Sequence, residues 1–152
     1  FARRLDDDRR AVREVCQRAR DGAPMKTVDR VFGWLLVVST AMHCVGCLIA
    51  FLHTNPDMLL WTEGAGIGGF LLAAINLLRV NRPEDRGLAW VSAAGCAAWA
   101  IMAVAFGLRI GNVLDPRPLV HTIVSLTLLG FSLRTALGKT ANTGVRVASY
   151  TT

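Results

Sequence analysis

Apolar residues run along this chain in four long blocks separated by short polar breaks. The first covers residues 31–52, "VFGWLLVVSTAMHCVGCLIAFL", and carries no formal charge. The second, residues 58–78, holds one acid, Glu63, and the third, residues 88–108, holds none. The fourth, residues 118–137, is completed by its flanking Pro118 and by the residues up to Leu137. At about 1.5 Å per residue, about 20 residues cross a hydrocarbon layer of about 30 Å, so each block predicts a membrane-spanning helix. The breaks "HTNPDM", "RVNRPEDRG" and "RIGNVLDPRP" are short, polar and Pro-containing. Such connections end one helix, start the next and force consecutive helices to run antiparallel. The predicted fold is all-α: an integral membrane protein built as an up-and-down bundle of four transmembrane helices.

Residues 1–24 are of another kind. Leu5, Val12, Val15, Cys16 and Ala19 recur at helical spacing on one narrow side, with charges elsewhere. This predicts an amphipathic cytoplasmic helix closed by Gly22 and Pro24, either solvated or docked on lipid headgroups or a partner subunit. Asp6, Asp7 and Asp8 turn that choice toward a protein partner. A chain beginning at Phe1 is expected to have been preceded by further residues or trimmed, and Met25, heading "MKTVDRVFGWLLV", would make a natural start. The run after it is too long for a cleaved signal and has no small-residue cleavage site, so it is expected to stay as an anchor. The organisation is then a cytoplasmic helix over 1–24, a membrane domain over 25–138 and a cytoplasmic polar tail over 139–152.

Charge refines the picture. Of 17 basic residues, nine precede residue 31, three lie in 79–87 and three follow residue 133, leaving Arg109 and Arg117 for the two opposite loops. A split of 15 to 2 places both termini in the cytoplasm. The net charge of +6 does not point to nucleic acid, because the basic residues sit at helix ends and form no stripe interleaved with aromatics. Arg outnumbers Lys 15 to 2, a skew typical of GC-rich bacterial genomes, which suggests a bacterial inner membrane. The overall 53% hydrophobic and 18% charged composition fits that medium.

Three constellations could carry chemistry. In "AMHCVGCLIA", His43, Cys44 and Cys47 share a helix at i, i+3 and i+4 spacing and are candidate soft-metal ligands. A zinc ion would need a donor from a second helix. Cys96 is the natural one, although counting residues puts it about 7 Å away in depth. The bland reading is packing, since buried cysteine behaves as a small hydrophobe. The run from Met42 to Cys47 and the four-span layout resemble the MerC mercuric-ion uptake proteins, in which a first-span Cys-x-x-Cys passes on Hg(II). That resemblance implies a soft-metal carrier using Cys44 and Cys47, though the tail cysteines of such proteins are absent here.

The second constellation is an intramembrane polar cluster near the outer side. Glu63, Arg109 and His121 share a depth, and Glu63 with Arg109 is the expected ion pair because a charge in lipid demands a partner. The third is a haem or quinone site using the histidines. Haem is disfavoured by an offset of about 9 Å between His43 and His121, and no cofactor is predicted. Small residues at four-residue spacing, Gly64 with Gly68, Ala65 with Gly69 and Ala93 with Ala97, predict close helix contacts. The functional expectation is a non-enzymatic accessory or scaffolding subunit in contact with lipid and other membrane subunits. A soft-metal or small-solute carrier and a redox subunit are the alternatives.

Overall fold

In the computed structural model, which describes residues 2–138 with side chains from Met25 onward, the chain is all-helical. Four helices follow one another: α1 (Ala2–Phe51), α2 (Pro56–Asn81), α3 (Arg86–Arg109) and α4 (Pro116–Leu137). Each is long and apolar enough to cross a membrane, counting α1 from Met25. Local chemistry sets the boundaries. Asn55, Asp85 and Asp115 each cap the following helix by accepting a hydrogen bond from a backbone N–H inside its first turn. Pro56 and Pro116 occupy the first helical position, where the missing N–H removes no helical bond. At Asp115 the Arg117 guanidinium holds the carboxyl down to about 2, so the cap stays charged. Gly111 takes a φ of +72°, the left-handed turn that ends α3.

One boundary differs from expectation. Gly22 and Pro24 do not close a separate helix, and α1 runs through them as a single 50-residue element. Proline in a helix removes one hydrogen bond, a local loss that leaves the bonds on either side intact and need not end a helix this long. The amphipathic pattern of residues 1–24 concerns side chains outside those described, as does the proposed tail over 139–152.

The helices alternate in direction and pack in a ring, most extensively α3 on α4 and α1 on α2, with thinner seams between α1 and α4 and between α2 and α3. The two-loop end carries residues 52–55 and 110–115. The single-loop end carries residues 82–85. Side-chain polarity is inverted relative to a water-soluble bundle. Trp34, Ile49, Leu60, Trp61, Ile101 and Leu114 are among many large apolar residues facing outward, whereas Asp29, Thr40, Asn76, Arg79, Ser92, Ser125 and Ser132 are buried. Between the polar groups lies a middle layer of Leu36, Leu72, Ala73, Val124 and Leu128.

Close approach is made by small residues that receive a large side chain from the neighbour. A Cβ on Gly69 would stand 2.8 Å from Thr40 of α1 and 3.1 Å from the Trp99 ring of α3. Gly33 stands as close to Leu77, and Gly66 meets the Cys44 sulfur. Of the predicted contact residues, Gly69 and Ala93 are buried, Ala97 is half-buried, and Gly68 meets Trp99 at ordinary contact distance. Gly64 is exposed with nothing within 4 Å, so it makes no helix contact. Spacing identified the right stretch of α2, but the contact follows Gly66 and Gly69 and leaves Gly64 on the outer side. We expect Gly69→Ala to destabilise the bundle by about 1–3 kcal/mol through overpacking. Gly130→Ala, where nothing lies within 4 Å, should be neutral or stabilising by up to about 1 kcal/mol. Thermal unfolding of the two variants in detergent checks the contrast.

Candidate functional site

Two polar layers occupy the interior, one near each end, and they are built differently. The layer at the single-loop end centres on Arg79, which is 1% exposed. Its Nη2 donates to Asp29 Oδ1 of α1 at 2.6 Å and its Nη1 to Thr135 of α4 at 3.2 Å. Asn76, one turn away on α2, continues the network. It donates to the Leu72 carbonyl at 3.0 Å and to the Cys96 sulfur at 3.3 Å, and its Oδ1 accepts from Ser92 of α3 at 2.9 Å. Ser92 stands 2.8 Å from Ser132 of α4, whose proton also reaches the Leu128 carbonyl. Every helix contributes at least one residue. The arrangement meets the two terminal nitrogens of a buried cation with a carboxylate, a hydroxyl and an amide oxygen and leaves only Nε without a partner.

Of this layer only Cys96 was singled out from the sequence, as a possible metal donor to α1, and it instead accepts from Asn76. Asp29 precedes the first uncharged block and Arg79 follows the second, so both read as solvated end charges. The usable signal was Leu72-Asn76-Arg79 at i, i+4 and i+7. That spacing puts two polar groups in line on one face of an otherwise apolar helix, facing Ser92 and Ser132 at comparable depth.

The layer toward the two-loop end contains most of the predicted candidates. His43 of α1 and His121 of α4 meet edge to face with ring centroids 6.1 Å apart. His121 Nδ1 accepts from the Trp99 indole N–H at 3.3 Å, which places any proton of the neutral ring on Nε2. Cys47 Sγ lies 3.6 Å from His43 Nε2, one turn along α1. Cys44 instead faces α2, against Gly66 and beside Glu63.

Three expectations are corrected by this geometry. His43, Cys44 and Cys47 do not converge: the first and third pair with each other while Cys44 turns to α2. Among the described residues, no group of three or more His, Cys, Asp or Glu is placed to hold a metal ion. Glu63 and Arg109 form no ion pair, since the only two among the described residues are Asp29–Arg79 and Asp115–Arg117. Arg109 ends α3 exposed, where a long side chain can reach water, while Glu63 lies on the α1 side of α2. Equal depth brought them level without bringing them face to face. Conversely, the expected offset of about 9 Å between His43 and His121 does not hold, since their ring centroids are only 6.1 Å apart. Helix α4 begins at Pro116, which sets His121 deeper than a start near residue 118 implied.

This layer is also less completely bonded. Thr40 Oγ1, Ser125 Oγ and one Glu63 oxygen are buried without a hydrogen-bond partner. Thr40 lies one turn inward of His43 and Cys44, and Ser125 one turn inward of His121, so the open hydroxyls flank the histidine pair.

Removing Asp29 should be strongly destabilising. Asp29→Leu leaves Arg79 buried without its countercharge and is expected to lose about 3–5 kcal/mol, whereas Asp29→Leu with Arg79→Leu should recover most of that loss. A double-mutant cycle read by thermal unfolding in detergent checks it, additive losses being the contrary result. No known protein family matches the chain, and neither a curated protein nor a solved structure shows significant similarity to it, so the likeness of Met42–Cys47 to the mercuric-ion uptake proteins rests on those six residues and a helix count.

Proposed function

We propose that the chain is a small non-enzymatic multi-pass protein of a bacterial cytoplasmic membrane, with both termini in the cytoplasm, and that it serves as an accessory or scaffolding subunit of a larger membrane complex. The observation that carries this reading is the continuity of α1. The segment from Met25 to Phe51 is the part long and apolar enough to cross a membrane, yet the helix begins at Ala2. A helix continuous with a span holds its preceding residues in a fixed direction, about 35 Å of rod at 1.5 Å per residue. In the sequence Leu5, Val12, Val15, Cys16 and Ala19 recur at helical spacing, the pattern expected of a segment that docks on a partner. The polar interior supports the same reading: the single-loop layer binds helix to helix and leaves its groups occupied with one another.

The membrane setting is supported by the outward-facing apolar residues and the buried polar ones, the arrangement favoured where the surrounding medium is lipid. Orientation rests on the basic residues. Arg79 is paired and buried and drops out of that count, and the bias persists without it. Cys16 should therefore resist a membrane-impermeant thiol reagent in intact cells and react after lysis. Labelling from outside overturns the orientation.

A second reading, a soft-metal carrier, is favoured by one observation: Cys47 and His43 stand 3.6 Å apart beside His121. Mild affinity purification from the native membrane separates the two. The scaffold reading expects defined partner chains that are retained in wild type and lost when residues 1–24 are deleted. Stoichiometric metal in the wild-type protein that vanishes in the Cys44→Ser, Cys47→Ser variant would establish the carrier in its place.

A further inference from the structure

The described charges at the two ends of the bundle are arranged differently. At the two-loop end, Arg109 and Arg117 are balanced by Asp57 and Asp115, and Arg117 is bound to Asp115 at 2.8 Å. At the single-loop end, Arg79 consumes Asp29 inside the bundle. This leaves Lys26, Arg30, Arg82, Arg86 and Arg134, all exposed, against Glu84 and Asp85. No carboxylate pairs with any of the five among the described residues, and Asp85 is occupied in capping α3.

Two of these arginines sit in a repeated setting. On α1, Arg30 donates to Asn81 of α2 at 2.9 Å, and one turn deeper stands Trp34, 56% exposed. On α3, Arg86 donates to the Gly138 carbonyl at the end of α4, and one turn deeper stands Trp90, 50% exposed. Residues at i and i+4 share a helix face and lie about 6 Å apart along it. Each arginine is thus steadied by a neutral acceptor on the neighbouring helix, which leaves its charge uncompensated. Each has an outward-facing indole about 6 Å toward the middle of the bundle. Trp61 at the other end is also exposed, but the residue one turn above it is Asp57, which would repel an anion.

We propose that Arg30 with Trp34 and Arg86 with Trp90 form two headgroup stations for anionic phospholipid in the leaflet at the single-loop end. The phosphate would sit on the guanidinium, and the glycerol and ester region on the indole. The chemistry is that of a basic site between helices at the cytoplasmic surface. Tryptophan is suited to the ester level because its ring is apolar and its N–H is a donor. Arginine binds phosphate through a planar fork, so lysine is a weaker substitute. The proposal rests on the reading that the bundle spans a bilayer.

The test is native mass spectrometry of the protein released from nanodiscs of equal phosphatidylglycerol and phosphatidylcholine. Wild type should retain phosphatidylglycerol in preference, with up to two tightly held molecules. A surface charge of this kind changes the preference by about five-fold, so Arg30→Gln and Arg86→Gln should each reduce it by about that factor at one station, and the double variant should abolish it. Arg109→Gln, at the other end, should leave it unchanged. Millimolar glycerol phosphate should not displace the lipid. Equal retention of the two lipids by wild type overturns the proposal, as does a preference that survives in the double variant or falls equally in Arg109→Gln. Displacement by glycerol phosphate would assign the stations to soluble phosphate esters and overturn the lipid assignment. A protein that does not incorporate into nanodiscs at all refutes the membrane reading itself, a result distinct from incorporation without preference.

Discussion

Arg79 constrains the bundle more than any other residue. A guanidinium cannot shed its charge by deprotonation, so burying it obliges the surroundings to supply a carboxylate and further acceptors. Asp29 must then lie on the adjacent helix at the same depth, which fixes the vertical register of α1 against α2. Thr135 must approach from α4, and Asn76 must turn toward α3 to reach Ser92. A slip of α1 by one turn, about 5.4 Å, would carry Asp29 out of hydrogen-bonding reach of the guanidinium it now meets at 2.6 Å. Apolar helices packed by small residues can slide with little penalty. One buried charge limits that freedom, because Arg79 of α2 holds Asp29 of α1 and Thr135 of α4 at one level.

The number, lengths and alternation of the helices were legible because each depends on a run of residues long enough to average out local exceptions. The 22-residue uncharged block ending at Leu52 and the Asn55-Pro56 break leave little room for another assignment. What failed were statements that depend on which side of a helix a residue occupies. Glu63 and Arg109 were matched by depth, but depth is one coordinate of two on a cylinder, and the rotation of each helix is set by partners elsewhere in the chain. The expected break at Gly22 and Pro24 failed for a related reason. Proline weakens a helix locally, and whether it ends there depends on what the segments on both sides gain by staying in line. The histidine pair was missed partly through an error of boundary, since a start at Pro116 sets His121 about 3 Å deeper in α4 than was assumed, and partly because helix tilt and side-chain reach do not follow from residue counting.

The two polar layers answer different demands. At the single-loop end nearly every buried polar atom has a partner, and Arg79 Nε is the exception. At the two-loop end the contacts are an edge-to-face imidazole pair, one indole hydrogen bond and a weak sulfur contact, with two hydroxyls and a carboxyl oxygen left open. Most other hydroxyls of the bundle return their proton to a backbone carbonyl three or four residues earlier, as Thr62, Thr122, Thr127 and Ser132 do. Thr40 and Ser125 do not. Their openness is therefore specific to the level of the histidines.

This difference decides where the bundle can yield. The extensive contacts pair α1 with α2 and α3 with α4, so the molecule is two helical hairpins joined along thinner seams. Separating the hairpins at the single-loop end would strip Arg79 of Thr135 and Asn76 of Ser92, exposing charge and amide to an apolar medium. Separating them at the two-loop end would break the His43–His121 edge contact and leave the Trp99 hydrogen bond intact, because Trp99 and His121 belong to the same hairpin. The first opening is opposed by buried polar groups that would lose their partners, and the second by an aromatic contact of about 0.5–1.5 kcal/mol together with the Trp99 ring seated on Gly69. The bundle is therefore tied more firmly at the level of Arg79 than at the level of the histidines, where Glu63, Thr40 and Ser125 keep hydrogen-bonding capacity to spare.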